Sequence, residues 1–154
     1  MLSRIQNLYL FLAGVLAILS MLFPIWSFST GKVYVVADFR PYADAGIIEV
    51  AASYGSIVFS VLTAITSFAA IFLFKNRKLQ QKLVLLAIAF FAGDLFSGLT
   101  AAHFMNEYFK CTCINATHGP EAGFFLILPE PVLFWLALGG IKKDDKIANA
   151  YKRL

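Results

Sequence analysis

Four apolar stretches, each long enough to cross a lipid bilayer, leave this chain few ways to fold. A hydrocarbon core of roughly 30 Å is spanned by about 20 helical residues. Inside it every backbone N–H and C=O must be satisfied within the protein, which a helix does unaided. The stretches run over residues 8–28, 55–74, 83–109 and 122–141, and the third meets its first charge, Asp94, only after eleven apolar or small residues. Composition agrees. Of the 154 residues, 60% are hydrophobic and 14% charged, whereas a soluble domain carries about 45–50% apolar and about 25% charged residues. The pattern predicts an all-α, polytopic membrane protein: one domain of four transmembrane helices in an antiparallel bundle, with an external loop over 29–54 and a tail over 142–154.

Charge sets the expected orientation. Short Lys/Arg-rich loops stay on the cytoplasmic side of a membrane. Lys75, Arg77, Lys78 and Lys82 form a basic hinge between the second and third spans, and Lys142, Lys143, Lys146, Lys152 and Arg153 follow the fourth. With Arg4, these put ten of the thirteen basic residues on one side, leaving Lys32, Arg40 and Lys110 opposite, where most acids also fall. Both termini are therefore expected in the cytoplasm, and the net charge of +4 reads as topology. Nucleic-acid binding is not expected, since no basic patch is interleaved with exposed aromatics.

The first apolar run exceeds the roughly 7–15 residues of a signal-peptide core and lacks an A-x-A site, so it reads as a retained helix with Trp26 at its outer interface. In the external loop, Val33-Tyr34-Val35-Val36 has strand character and Asp38-Phe39-Arg40-Pro41-Tyr42 reads as a turn. The loop is too short for a core of its own. It is expected to lie over the helix ends, with docking of a partner as the alternative. The hinge is short enough to make the second and third helices antiparallel neighbours.

Three landmarks, in order, carry a family resemblance: Ser3-Arg4-Ile5-Gln6-Asn7-Leu8-Tyr9-Leu10, then Phe74-Lys75-Asn76-Arg77-Lys78-Leu79-Gln80, then Ile141-Lys142-Lys143-Asp144-Asp145-Lys146. Set around four spans in a chain of this length, they resemble an uncharacterised inner-membrane family of Bacteroidota described as a domain of unknown function. The resemblance covers essentially the whole chain. It implies a four-helix protein of the bacterial inner membrane and implies no activity. In the tail, Ile147-Ala148-Asn149-Ala150-Tyr151 departs from the family's more charged pattern.

Two acids fall inside the spans. Asp94 lies twelve residues beyond Lys82 and Glu130 twelve before Lys142, which at 1.5 Å per residue puts both roughly 18 Å from the inner boundary. The same count back from Lys75 reaches Thr63. An ionisable residue at this depth costs about 2.5–3.5 kcal/mol on insertion scales and normally faces the bundle interior with a partner. Pro129 and Pro131 flank Glu130, and each frees the carbonyl four residues earlier, an arrangement transporters use for proton or cation sites. Three readings stay open: neutral acids that lock helix packing, a proton or ion site, and a cation supplied by another subunit. Ser53, Ser56, Ser60, Thr63 and Ser67 recur at offsets of three and four on the second helix, one stripe suited to close helix approach. That stripe is expected to meet the narrow Gly93/Ser97 and Gly98/Ala102 faces of the third helix, bringing Thr63 near Asp94.

The remaining chemistry is sparse. Cys111 and Cys113 form a C-x-C pair on the second external loop, where a strained disulfide would be readily reduced. A thiol oxidase would need a second pair, so incidental thiols are the plainer reading. Cys111, Cys113, His118 and His103 match no zinc spacing, and His103 reads as interfacial. Asn115-Ala116-Thr117 has the form of a glycosylation sequon and is taken as chance. No nucleotide loop, nucleophile elbow or metalloprotease motif occurs. No catalytic residue, metal or cofactor is therefore expected. The expected partners are membrane lipids and other membrane protein subunits, without nucleic acid or nucleotide. The leading expectation is a non-enzymatic accessory or scaffolding subunit of an envelope complex. Proton- or cation-coupled transport at Asp94 and Glu130 comes second, and periplasmic thiol redox chemistry third.

Overall fold

The computed structural model describes residues 2–30, 32–112 and 116–151. Helix α1 (Leu2–Leu22) is followed by strands β1 (Trp26–Ser29) and β2 (Val33–Val36) and a 3-10 turn (Ala43–Ala45). Helices α2 (Ile47–Phe72) and α3 (Arg77–Cys111), strand β3 (Thr117–Pro120), and helices α4 (Ala122–Ile127) and α5 (Glu130–Tyr151) complete the order. Four helical segments are long and apolar enough to cross a membrane, the last of them α4 and α5 together. Helix α1 packs against α2 and α5, and α3 closes the ring by packing on the same two. Each neighbour in this ring runs antiparallel to the next.

The helix ends differ from the expected spans, for local reasons. Helix α1 stops at Leu22 instead of reaching 28, because Pro24 lacks an N–H and disfavours helical angles at the residue before it. The chain then turns into β1. Helix α2 begins at Ile47, well before 55, behind Gly46 at φ 103°, an angle open to glycine and costly for other residues. Helix α3 begins at Arg77, where the Asn76 side chain accepts the Leu79 N–H at 3.3 Å. Most of the basic hinge thus belongs to the first turns of α3. At 35 residues, α3 is about 52 Å long and outruns any hydrocarbon core. The segment taken as a tail continues α5 as helix through Tyr151.

A three-stranded antiparallel sheet with β1 in the centre covers one end of the bundle. Trp26 to Ser29 pairs with Val36 to Val33 on one side and with Pro120 to Thr117 on the other. Two apolar cores result. One fills the hinge half of the bundle with Leu10, Ala13, Ala70, Val84, Ala87, Phe91, Phe134 and Ile141. The other fixes the sheet to α3 through Phe28, Val36, Ala101, Ala102, Met105 and Phe109. Tyr34 and Phe28 pack on the Phe109 ring at 5.3 and 5.4 Å between centroids, the spacing at which aromatic pairs attract.

Candidate functional site: a buried carboxyl layer

A polar layer lies on α3 between the two cores, after Phe91 and before Ala101. Asp94 is 3% exposed. Its two carboxyl oxygens accept the hydroxyls of Ser56 and Ser60 at 2.5 and 2.7 Å. The small residues make the approach possible. A Cβ on Gly55 would touch Ser97, and one on Gly93 would press on the Phe59 ring. Those facing pairs define a register symmetric about Asn76, which sets Asp94 between Ser56 and Ser60.

The same register corrects the expectation for Thr63. It sits farther toward the hinge, and its hydroxyl donates to the Phe59 carbonyl of its own helix at 2.9 Å. Counting Asp94 from Lys82 and Thr63 from Lys75 set them level, but α3 starts five positions before Lys82, at Arg77. The stripe itself is real, and all five of its residues are buried. It divides by use: Ser53 serves Glu49, Ser56 and Ser60 serve Asp94, while Thr63 and Ser67 bond back to carbonyls one turn earlier.

Glu130 opens α5 just beyond the interruption at Leu128–Pro129. Leu128 keeps helical angles, φ −56° and ψ −36°, so the prolines remove hydrogen bonds without turning the chain. Glu130 is 1% exposed, and its Oε1 is buried without a hydrogen-bond partner among the described residues. Asp94 and Glu130 lie on α3 and α5, two helices that pack against each other.

A third acid reaches this layer from the sheet end. Asp38 stands in the tight turn closed by the Ala37–Arg40 bridge and is 3% exposed. Burial, then repulsion from Asp94, push it up to about 7 against the opposing pull of Ser56. The sequence hid this residue inside a turn pattern, and only the fold of the sheet over α2 and α3 brings it in. Glu49 was hidden likewise in the presumed loop. It is fully buried on α2, accepting the Tyr42 N–H at 3.0 Å and the Ser53 hydroxyl at 3.1 Å. Both its oxygens are partnered, and it ties the loop to the helix. The Glu49–Ser53 spacing of four was the signal available in sequence.

Other candidates fall elsewhere. Among the described residues no three His, Cys, Asp or Glu side chains are placed to hold a metal ion. His103 and His118 line one cavity of about 150 Å³ beside Trp26 and Phe28. Its walls are mainly apolar, and Trp26 donates to His118 Nδ1 at 3.4 Å. Cys111 is exposed at the end of α3, and Cys113, with its suggested disulfide, lies outside the described residues. At the hinge end Gln6 donates to Asp144 at 3.0 Å, Arg77 to the Asp144 carbonyl, and Gln80 to the Ala70 carbonyl at 3.0 Å. These bonds tie α1 and α3 to α5, and α3 to α2.

The model of family DUF4293, a domain of unknown function, matches residues 2–154. The chain belongs to DUF4293. The resemblance drawn from the N-terminal, hinge and tail motifs thus holds as an uncharacterised family spanning the chain. No curated protein and no solved structure matches it, so the chemistry of this DUF4293 chain must be read from its own residues.

Proposed function

We propose that this DUF4293 protein is an integral protein of the bacterial inner membrane, hinge and termini cytoplasmic, that works by binding and releasing protons at Asp94 and Glu130. One observation carries the reading: the Glu130 Oε1 atom is buried and, among the described residues, unpartnered, on a helix that packs against α3. A packing lock satisfies its oxygens, as Glu49 does, because a buried polar atom left unpaired costs about 1–3 kcal/mol. Among the described residues the one ion pair is Lys110–Glu107, far along α3 near its end, so no basic side chain neutralises the layer. Two neighbouring carboxyls without a cation share a proton.

Reconstituted vesicles test this. Asp94→Asn and Glu130→Gln should each lower proton uptake on acidification, and unchanged uptake in both removes the reading. Glu130→Leu should leave the melting temperature in mild detergent equal or higher, because it deletes an unpaired polar atom. A packing role for Glu130 requires a fall.

An accessory role in a larger envelope complex is the second reading. Between 28% and 39% of each span is buried within the bundle. Phe96 and Trp135, 75% and 72% exposed, offer outward surface that lipid or another subunit would cover. Stoichiometric partners retained through purification in mild detergent support it; a homogeneous chain that still takes up protons disposes of it.

A further inference from the structure

The fold gathers the basic hinge around a space. Lys75, Arg77 and Lys78 line one open cavity of about 670 Å³ between the start of α3 and the last turns of α5, together with Phe74, Asp145 and Asn149. Asn76 fixes the corner by capping α3, and Arg77 is half-buried and held by its bond to the Asp144 carbonyl. In formal charges the lining carries +3 − 1 = +2. Among the described residues the one ion pair is Lys110–Glu107, so no carboxylate pairs with these three cations, Asp145 included. Like charges gathered round one space repel each other. Setting the orientation needs only a basic loop and no cavity, so the cavity calls for an anion of its own. Depth narrows the choice. The apolar run of α1 begins at Ile5 and that of α2 ends at Phe72, and bonds from Gln6 to Asp144 and from Gln80 to the Ala70 carbonyl join the helices at that level. The cavity lies just beyond, where the headgroups of a surrounding bilayer would stand. Phe72 and Phe74 are 79% and 53% exposed there, apolar surface of use to an acyl chain and of none to a free inorganic anion.

We propose that this cavity binds the phosphate headgroup of an anionic phospholipid, with Lys75, Arg77 and Lys78 around the phosphate and Phe74 beside the acyl chains. The proposal rests on the membrane placement given above and is independent of proton binding at Asp94 and Glu130. Arg77 supplies a planar fork suited to two phosphate oxygens, and the two lysines act as point charges beside it. Asp145 opposes the phosphate and so sets a limit on affinity. A bound lipid would bridge the α2–α3 hinge to the end of α5, the same two parts that the Arg77–Asp144 bond already joins.

The experiment is native mass spectrometry of the full chain in a mild non-ionic detergent, titrated with phosphatidylglycerol, with phosphatidylcholine of the same acyl chains, and with inorganic phosphate. Phosphatidylglycerol should bind more tightly than the other two probes. Each basic residue near an anionic headgroup is worth about fivefold in affinity, so Lys75→Gln with Lys78→Gln should weaken phosphatidylglycerol about 25-fold and Asp145→Asn should tighten it about fivefold. Lys82→Gln with Lys143→Gln removes two exposed cations outside the cavity and should leave the affinity unchanged. Equal affinity for the two lipids, or equal loss in the two double variants, overturns the site in favour of a diffuse surface field. Inorganic phosphate that binds as tightly as phosphatidylglycerol overturns the lipid as occupant. Arg77 is kept in every variant because its bond to Asp144 holds α3 to α5, and Asp145→Asn removes only a charge, so its opposite sign tests the site even if a lysine variant folds poorly. Flotation with neutral phosphatidylcholine vesicles separates the two levels of the claim. A chain that fails to float removes the membrane placement, whereas a chain that floats and shows no lipid preference removes the headgroup site alone.

Discussion

Asp38 illustrates how far a single carboxyl can be moved by where a turn lands. Its folded value of about 7 stands above the ordinary 3.8, so the folded loop binds more protons than the unfolded one between those limits. Stability falls with pH wherever the native state holds the extra proton. The contribution of Asp38 is therefore complete below about 4 and is lost as pH rises through about 7. Protection of the β1–β2 amides against hydrogen exchange, corrected for intrinsic rates, should drop across that window, and Asp38→Asn should flatten the curve. Protection rising with pH contradicts the assignment. At this scale the sequence exposed Asp94 and Glu130 because a charge in an apolar run stands out. It concealed Asp38 and Glu49 because an acid in a turn pattern looks solvated, and its burial depends on residues far along the chain.

Elements add constraints that lie in backbone proximity. The first turn of α4 docks on the end of α1, where the Gly123 N–H donates to the Pro24 carbonyl at 2.9 Å. A Cβ there would stand 2.6 Å from the Phe23 oxygen and 2.7 Å from the Pro24 oxygen. Gly139, inside α5, has nothing within 4 Å of its missing Cβ. The same substitution should act in opposite directions. Gly123→Ala should lower stability by about 1–3 kcal/mol, the usual cost of overpacking, while Gly139→Ala should raise it by up to about 1 kcal/mol through helix propensity. Thermal unfolding in detergent measures both, and a benign Gly123→Ala would mean the α1–α4 contact is looser than described. The existence of the helices was legible in their apolar runs, and β2 in its Val33–Val36 pattern. Strand β3 was not legible. Thr117-His118-Gly119-Pro120 has no strand character, and it becomes one because β1 offers a free edge there.

The whole molecule is an up-down ring of helices capped by a sheet at one end and tied by Gln6, Arg77 and Asp144 at the other. The proposed orientation puts the hinge end in the cytoplasm, because ten of the thirteen basic residues are expected on that side and short Lys/Arg-rich loops stay inside. Single cysteines tested in a chain with Cys111→Ser and Cys113→Ser should report this. Asn76→Cys should react with a membrane-impermeant maleimide in inverted vesicles only, and Lys32→Cys in spheroplasts only. The reverse pattern would invert the topology.

What the sequence determined alone was periodic or compositional: the number of spans, the membrane environment they require, the expected orientation, and the presence of two acids at one depth. Each follows from residues close in the chain, since length, apolarity and charge act locally on insertion. What only the tertiary structure decided was partnership. The start of α3 at Arg77, capped by Asn76, set the α2–α3 register so that Asp94 faces Ser56 and Ser60 instead of Thr63. The fold of the sheet over the helix ends then buried Asp38 and Glu49. A register depends on where helices begin and how small residues let them meet, so a change of a few residues at a cap rewrites which side chains touch in the middle of the bundle.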